Sequence, residues 1–178
     1  MCAAPPELPE KVLRRVLAIS RGDGWSIVIV ASLGGLVSLV QGGWFGAAAG
    51  LLVALGGAGE LHGRRLLLRG KIAGTGWLIG AQLFLLVVIC FYAWCRWRYF
   101  DPVALWAELP NLARAELTRQ MVAAGLDPEF DRPLLLQLMN LLVCAILACV
   151  TLLYQGGLAL YYAWQRERIR QALSAADR

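Results

Sequence analysis

Charge is scarce in this chain, and so are most of the residue types that carry chemistry. Of 178 residues only 16% are charged; there is one histidine, His62, and the only lysines are Lys11 and Lys71. A lone histidine excludes haem held between two imidazoles. It also leaves Ser20, Ser26, Ser32, Ser38 and Ser174 without a base other than His62, so no nucleophile, base and orienter set is available for hydrolysis. Neither lysine falls in an apolar segment, where a retinal Schiff base would need one.

Cysteine is present but spaced for nothing. Cys2, Cys90, Cys95, Cys144 and Cys149 form no CxxC pair and no metal-ligand spacing, so they read as small buried apolar residues and no metal site or cofactor is expected. Quinone-coupled disulfide-forming chemistry on four membrane helices needs redox cysteines in its outer loops. The segments Gln41–Trp44 and Tyr99–Arg132 contain none.

What the chain has in plenty is apolar sequence, 59% of its residues. A soluble domain carries about a quarter charged residues, so the class expected is an all-α integral membrane protein. Charge is missing altogether from three stretches: 36 residues between Asp23 and Glu60, 24 between Lys71 and Arg96, and 33 between Arg132 and Arg166. Each can hold at least one span of about 20 residues. The first, divided at Gln41-Gly42-Gly43, holds two. The net charge of +5 comes from short basic clusters flanking the apolar stretches, as at headgroups, and no nucleic-acid recognition motif accompanies it.

The expected layout is a single membrane domain over 1–178, a four-span transmembrane helix bundle. It begins with an interfacial amphipathic helix at 7–21, with Val12, Leu13, Val16 and Leu17 on one face, lying on the inner membrane surface. A polar turn at Arg21–Gly24 leads into the first span. The spans are TM1 at 25–42, TM2 at 44–62, TM3 at 74–97 and TM4 at 133–165, with a short helical extracytoplasmic loop at 101–132 and a cytoplasmic tail at 166–178. Small residues at Gly34, Ser38 and Gly42 and at Gly46, Gly50, Ala54 and Ala58 predict close packing of the first two spans. No signal peptide is expected, because the opening residues are proline-rich and charged and the first apolar run starts near Trp25. Tyr154, Tyr161, Tyr162 and Trp164 are expected at the inner interface, and Tyr92, Trp94, Trp97, Tyr99 and Phe100 at the outer one.

Twelve basic residues fall on one side of this layout and five on the other. The positive-inside rule then puts both termini in the cytoplasm, in the cell inner (plasma) membrane.

Two places carry polar residues where lipid is expected. Gln137, Asn140, Cys144, Ala148, Thr151 and Gln155 follow one another in steps of three and four, so they share one face of TM4 over about 27 Å. That face must meet protein or water. The second is Glu60-Leu61-His62-Gly63-Arg64 at the end of TM2, where Glu60 and Arg64 stand at the favoured i, i+4 ion-pair spacing. His62 lies about 200° around the helix from Glu60, so the two cannot chelate one ion.

The leading reading is a non-enzymatic structural or accessory subunit with the TM4 stripe packed in the bundle. The alternative is a homo-oligomeric ion channel or small transporter in which Gln137, Asn140, Cys144, Thr151 and Gln155 line a pore and Glu60 forms an inner ring. A membrane enzyme or pH sensor using Glu60 and His62 is a third. The partners expected are the lipid bilayer and a second copy or another membrane protein. The sequence names no ligand and no activity.

Overall fold

The structure is a computed structural model and describes residues 9–176, so Cys2, the first two residues of the expected 7–21 helix, and Arg178 lie outside the described residues. It is all-helical, with six helices and no strand among those residues: α1 (Pro9–Val40), α2 (Trp44–Leu68), α3 (Ala73–Arg98), α4 (Pro102–Glu108), α5 (Asn111–Ala123) and α6 (Arg132–Ala176). Four of them, α1, α2, α3 and α6, are long and apolar enough to cross a membrane. Their outward faces are apolar too: Val30, Leu33, Leu142, Leu153 and Leu160 are all exposed, Leu153 to 77%. Helices apolar on the outside as well as the inside suit lipid rather than water, consistent with a helical membrane bundle.

The described residues form two compact units, one made of those up to Cys90 together with those from Val150, the other of Phe91–Cys149. The first unit is built on a helix hairpin. α1 ends where Gly42 takes φ +77°, a left-handed conformation open to glycine at no steric cost, and Gly43 N donates to the Ser38 carbonyl at 2.7 Å. α2 then runs back along α1. At the crossing, Gly50 lies so close that a Cβ on it would stand 2.8 Å from the Ala31 carbonyl oxygen and 2.8 Å from Gly35 Cα. Lower down, a Cβ on Gly57 would meet the Gly24 carbonyl at 3.0 Å. The small-residue prediction holds for Gly46 and Gly50 on α2 and for Ser38 on α1, whereas Ala58 is exposed and Gly57 makes the contact instead, and on α1 Gly24 and Gly35 are the other contact residues. Gly34 has nothing within 4 Å, because its neighbour Gly35 is the one turned to the partner helix.

Two expectations about the N-terminal region are corrected. Arg21–Gly24 form no turn; α1 is continuous through them. The amphipathic segment does not lie apart as an interfacial helix either. Its apolar residues Val12 and Val16 are buried in a core with Leu67, Leu78, Tyr162 and Ile169, contributed by all four long helices. An apolar stripe has the same period whether it meets a membrane surface or neighbouring helices, so the pattern could not separate the two.

α2 continues past residue 62 to Leu68, taking Arg64 and Arg65 into the helix, and α6 is unbroken through Gly156-Gly157. Tyr162, expected at the interface, is fully buried.

The second unit contains the end of α3, the short helices α4 and α5, and the first part of α6. Asp101 caps α4, its Oδ1 accepting from Val103 N at 2.8 Å and Ala104 N at 3.3 Å, with Pro102 opening the helix. Arg114 closes the other end, donating to the Ala107 and Leu109 carbonyls at 2.7 Å each, where a cation also complements the helix dipole. The Arg132 guanidinium sits 4.7 Å over the Trp106 ring.

Candidate functional site

Two hairpins of near-equal arms put three polar side chains at one level. Asp23 lies 18 residues before Gln41 and Glu60 17 after Gly43, so folding at that turn sets the two acids opposite each other, about 27 Å along the helices from the turn. Glu60 lies 8 residues before the end of α2 and Gln82 9 after the start of α3, which brings Gln82 to the same height. α6 completes the group with Tyr154 and Tyr162, all within the first unit.

The hydrogen bonds join residues from all four helices. Tyr154 Oη donates to Asp23 Oδ1 at 2.9 Å, Gln82 Nε2 to Asp23 Oδ2 at 3.1 Å, and Tyr162 Oη to Glu60 Oε1 at 2.9 Å. Glu60, Gln82 and Tyr162 are each 0% exposed. Glu60 interacts electrostatically with Asp23 as well as with Tyr162 and Gln82, and no basic side chain is among its partners. Three buried oxygens of this unit's acid and amide side chains have no partner: Glu60 Oε2, Gln82 Oε1 and Gln155 Oε1.

The residues grouped around Glu60 by sequence separate in space. Arg64 does not pair with Glu60; its Nε donates to the Leu17 carbonyl on α1 at 3.2 Å. The hairpin contact that buries Glu60 leaves Arg64 one turn further on, at the half-buried edge where the α1 backbone offers an acceptor. His62 is exposed and stands edge-on to Trp77, ring centroids 4.9 Å apart. Glu60 thus keeps company with Asp23, Gln82 and Tyr162, none of which the sequence reading grouped with it.

The TM4 stripe divides by exposure. Asn140, Cys144, Thr151 and Gln155 are buried, each 6% exposed, while Gln137 is exposed. In the second unit, Asn140 Oδ1 accepts from Arg96 Nε at 3.2 Å and from Cys144 Sγ at 3.9 Å. Arg96 itself is exposed and reaches the buried Asn140 through its Nε. Among the described residues no group of three or more His, Cys, Asp or Glu side chains converges on a point.

An all-helical fold with four long apolar helices, and a polar cluster inside its first unit, is consistent with a helical membrane bundle. Comparison with protein-family models, curated proteins and solved structures found no match.

Proposed function

We propose that the chain is a non-enzymatic structural or accessory protein of the inner membrane, with both termini in the cytoplasm and the polar face of α6 acting as a packing seam. The observation that carries the reading is the burial of Asn140, Cys144, Thr151 and Gln155 within a single copy of the chain. A pore lining needs those side chains in water. Hydrogen bonds between membrane helices contribute about 0.6 kcal/mol each on average, so the seam selects which faces meet more than it adds stability. The positive-inside bias, twelve basic residues against five, supports the orientation. An accessory role entails a partner in the bilayer, a second copy or another membrane protein.

Reconstitution into liposomes tests this. Sodium, potassium and proton fluxes should not exceed those of empty liposomes, and Asn140→Leu should lower thermal stability without changing flux. A conductance above background that Asn140→Leu alters overturns the reading.

A further inference from the structure

We propose that the interior of the four-helix unit holds a binding site for one small monovalent cation of the sodium class, formed by Glu60 Oε2 and Gln82 Oε1 beside Asp23, with Gln155 Oε1 as a third oxygen. The site goes beyond the packing role above and requires no transport.

The case rests on which atoms are already taken. Four carboxylate oxygens meet here, and three have a donor: Asp23 Oδ1 from Tyr154, Asp23 Oδ2 from Gln82 and Glu60 Oε1 from Tyr162. Both tyrosine hydroxyls and one of the two N–H groups of the Gln82 amide are thereby used. The buried atoms of these acid and amide side chains that have no partner are all oxygens, Glu60 Oε2, Gln82 Oε1 and Gln155 Oε1, on side chains no more than 6% exposed. Gln82 is tied into the cluster through its nitrogen, so its unpartnered oxygen belongs to the same group. Gln155 stands on the α6 face that also presents Tyr162, two turns away.

A buried surplus of acceptors is costly unless something positive meets it. Among the described residues no basic side chain is a partner of Glu60, and Arg64 is engaged by the Leu17 carbonyl. Two carboxylates side by side in an apolar bundle demand compensation as well. Oxygen ligands without thiolate or imidazole suit a hard cation. The charge of that cation follows from the ligands still free, one carboxylate oxygen and neutral amide oxygens, which match a single positive charge.

A proton on Glu60, whether shared with Asp23 or given to one amide oxygen, leaves an amide oxygen unpaired. It competes for the site without filling it. The groups facing Glu60 in that competition are Asp23 on α1, Gln82 on α3, and Tyr162 on α6, with Tyr154 acting through Asp23.

The test is thermal unfolding of the full-length protein in lipid nanodiscs, with alkali chlorides exchanged against choline chloride at constant ionic strength. Sodium should raise the unfolding midpoint saturably at pH 8, by about 3 °C or more. The effect should shrink toward pH 5 and vanish in Glu60→Gln and Gln82→Leu. Tyr154 is half exposed, so Tyr154→Phe keeps the fold while loosening Asp23; it should weaken the apparent sodium affinity several-fold. Should Glu60→Gln or Gln82→Leu fail to fold, sodium-23 line broadening by the wild type against Tyr154→Phe decides the matter. Stabilisation by acid alone with no response to any alkali cation, or a saturating response to calcium or magnesium but not sodium, overturns the proposal. Flux above background in liposomes would overturn the packing role and leave this site standing.

Discussion

The Tyr162 hydroxyl donates to Glu60 Oε1 at 2.9 Å, joining two fully buried side chains 102 residues apart in sequence. This bond ties α6 to the α1–α2 hairpin, at the point where the polar interior meets the apolar core formed with Val12, Val16 and Leu67. Tyr162→Phe removes the donor and leaves a buried carboxylate oxygen without a partner, at a cost of about 1–2 kcal/mol. Reversible unfolding in mixed micelles should register it as a lower denaturant midpoint. An unchanged midpoint would mean that the bond does not hold α6.

At the hairpin crossing, neighbouring glycines should behave oppositely. Gly50→Ala puts a methyl group against the Ala31 carbonyl and Gly35, forcing the backbones apart at a cost of about 1–3 kcal/mol. Gly34→Ala meets nothing within 4 Å and favours the helix, so it should be neutral or stabilising by about 0.5–1 kcal/mol. Thermal unfolding of the two variants under one set of conditions compares them directly.

In the second unit, Asp101 supplies the N-terminal side-chain cap of the seven-residue helix α4. Asp101→Ala should weaken that helix by about 1 kcal/mol. The effect should stay local. Hydrogen exchange should speed up at the Val103 and Ala104 amides while the exchange of α1 and α2 is unchanged.

Much of this architecture is legible in the residues. The three uncharged stretches locate the four long helices, and Gln41-Gly42-Gly43 locates the first hairpin. The acid pair was visible in principle as well: Asp23 and Glu60 bound the longest uncharged stretch and are equally distant from its turn, so folding the stretch in half brings them together. Reading Arg21–Gly24 as a turn hid this, because two glycines around an aspartate resemble a loop, whereas here the missing Cβ of Gly24 admits α2 close to an unbroken helix. The tyrosines were hidden for another reason. An aromatic residue with a polar tip fits a headgroup interface and a polar interior equally well, and only the arrangement of α6 against the hairpin assigns Tyr162 to the interior. The bond from Arg96 to Asn140 was not legible, since arginine among aromatics at a helix end carries no sign of its partner.

The central claim is that the polar face of α6 meets protein rather than water. Single cysteines at 137, 140, 151 and 155, introduced into a chain whose own cysteines are replaced, and exposed in intact membranes to a membrane-impermeant thiol reagent, test it most directly. Gln137→Cys should react at least about tenfold faster than Asn140→Cys, Thr151→Cys and Gln155→Cys, because a thiol must be reachable by water to ionise and be modified. Rapid, comparable modification at all four positions would contradict the account.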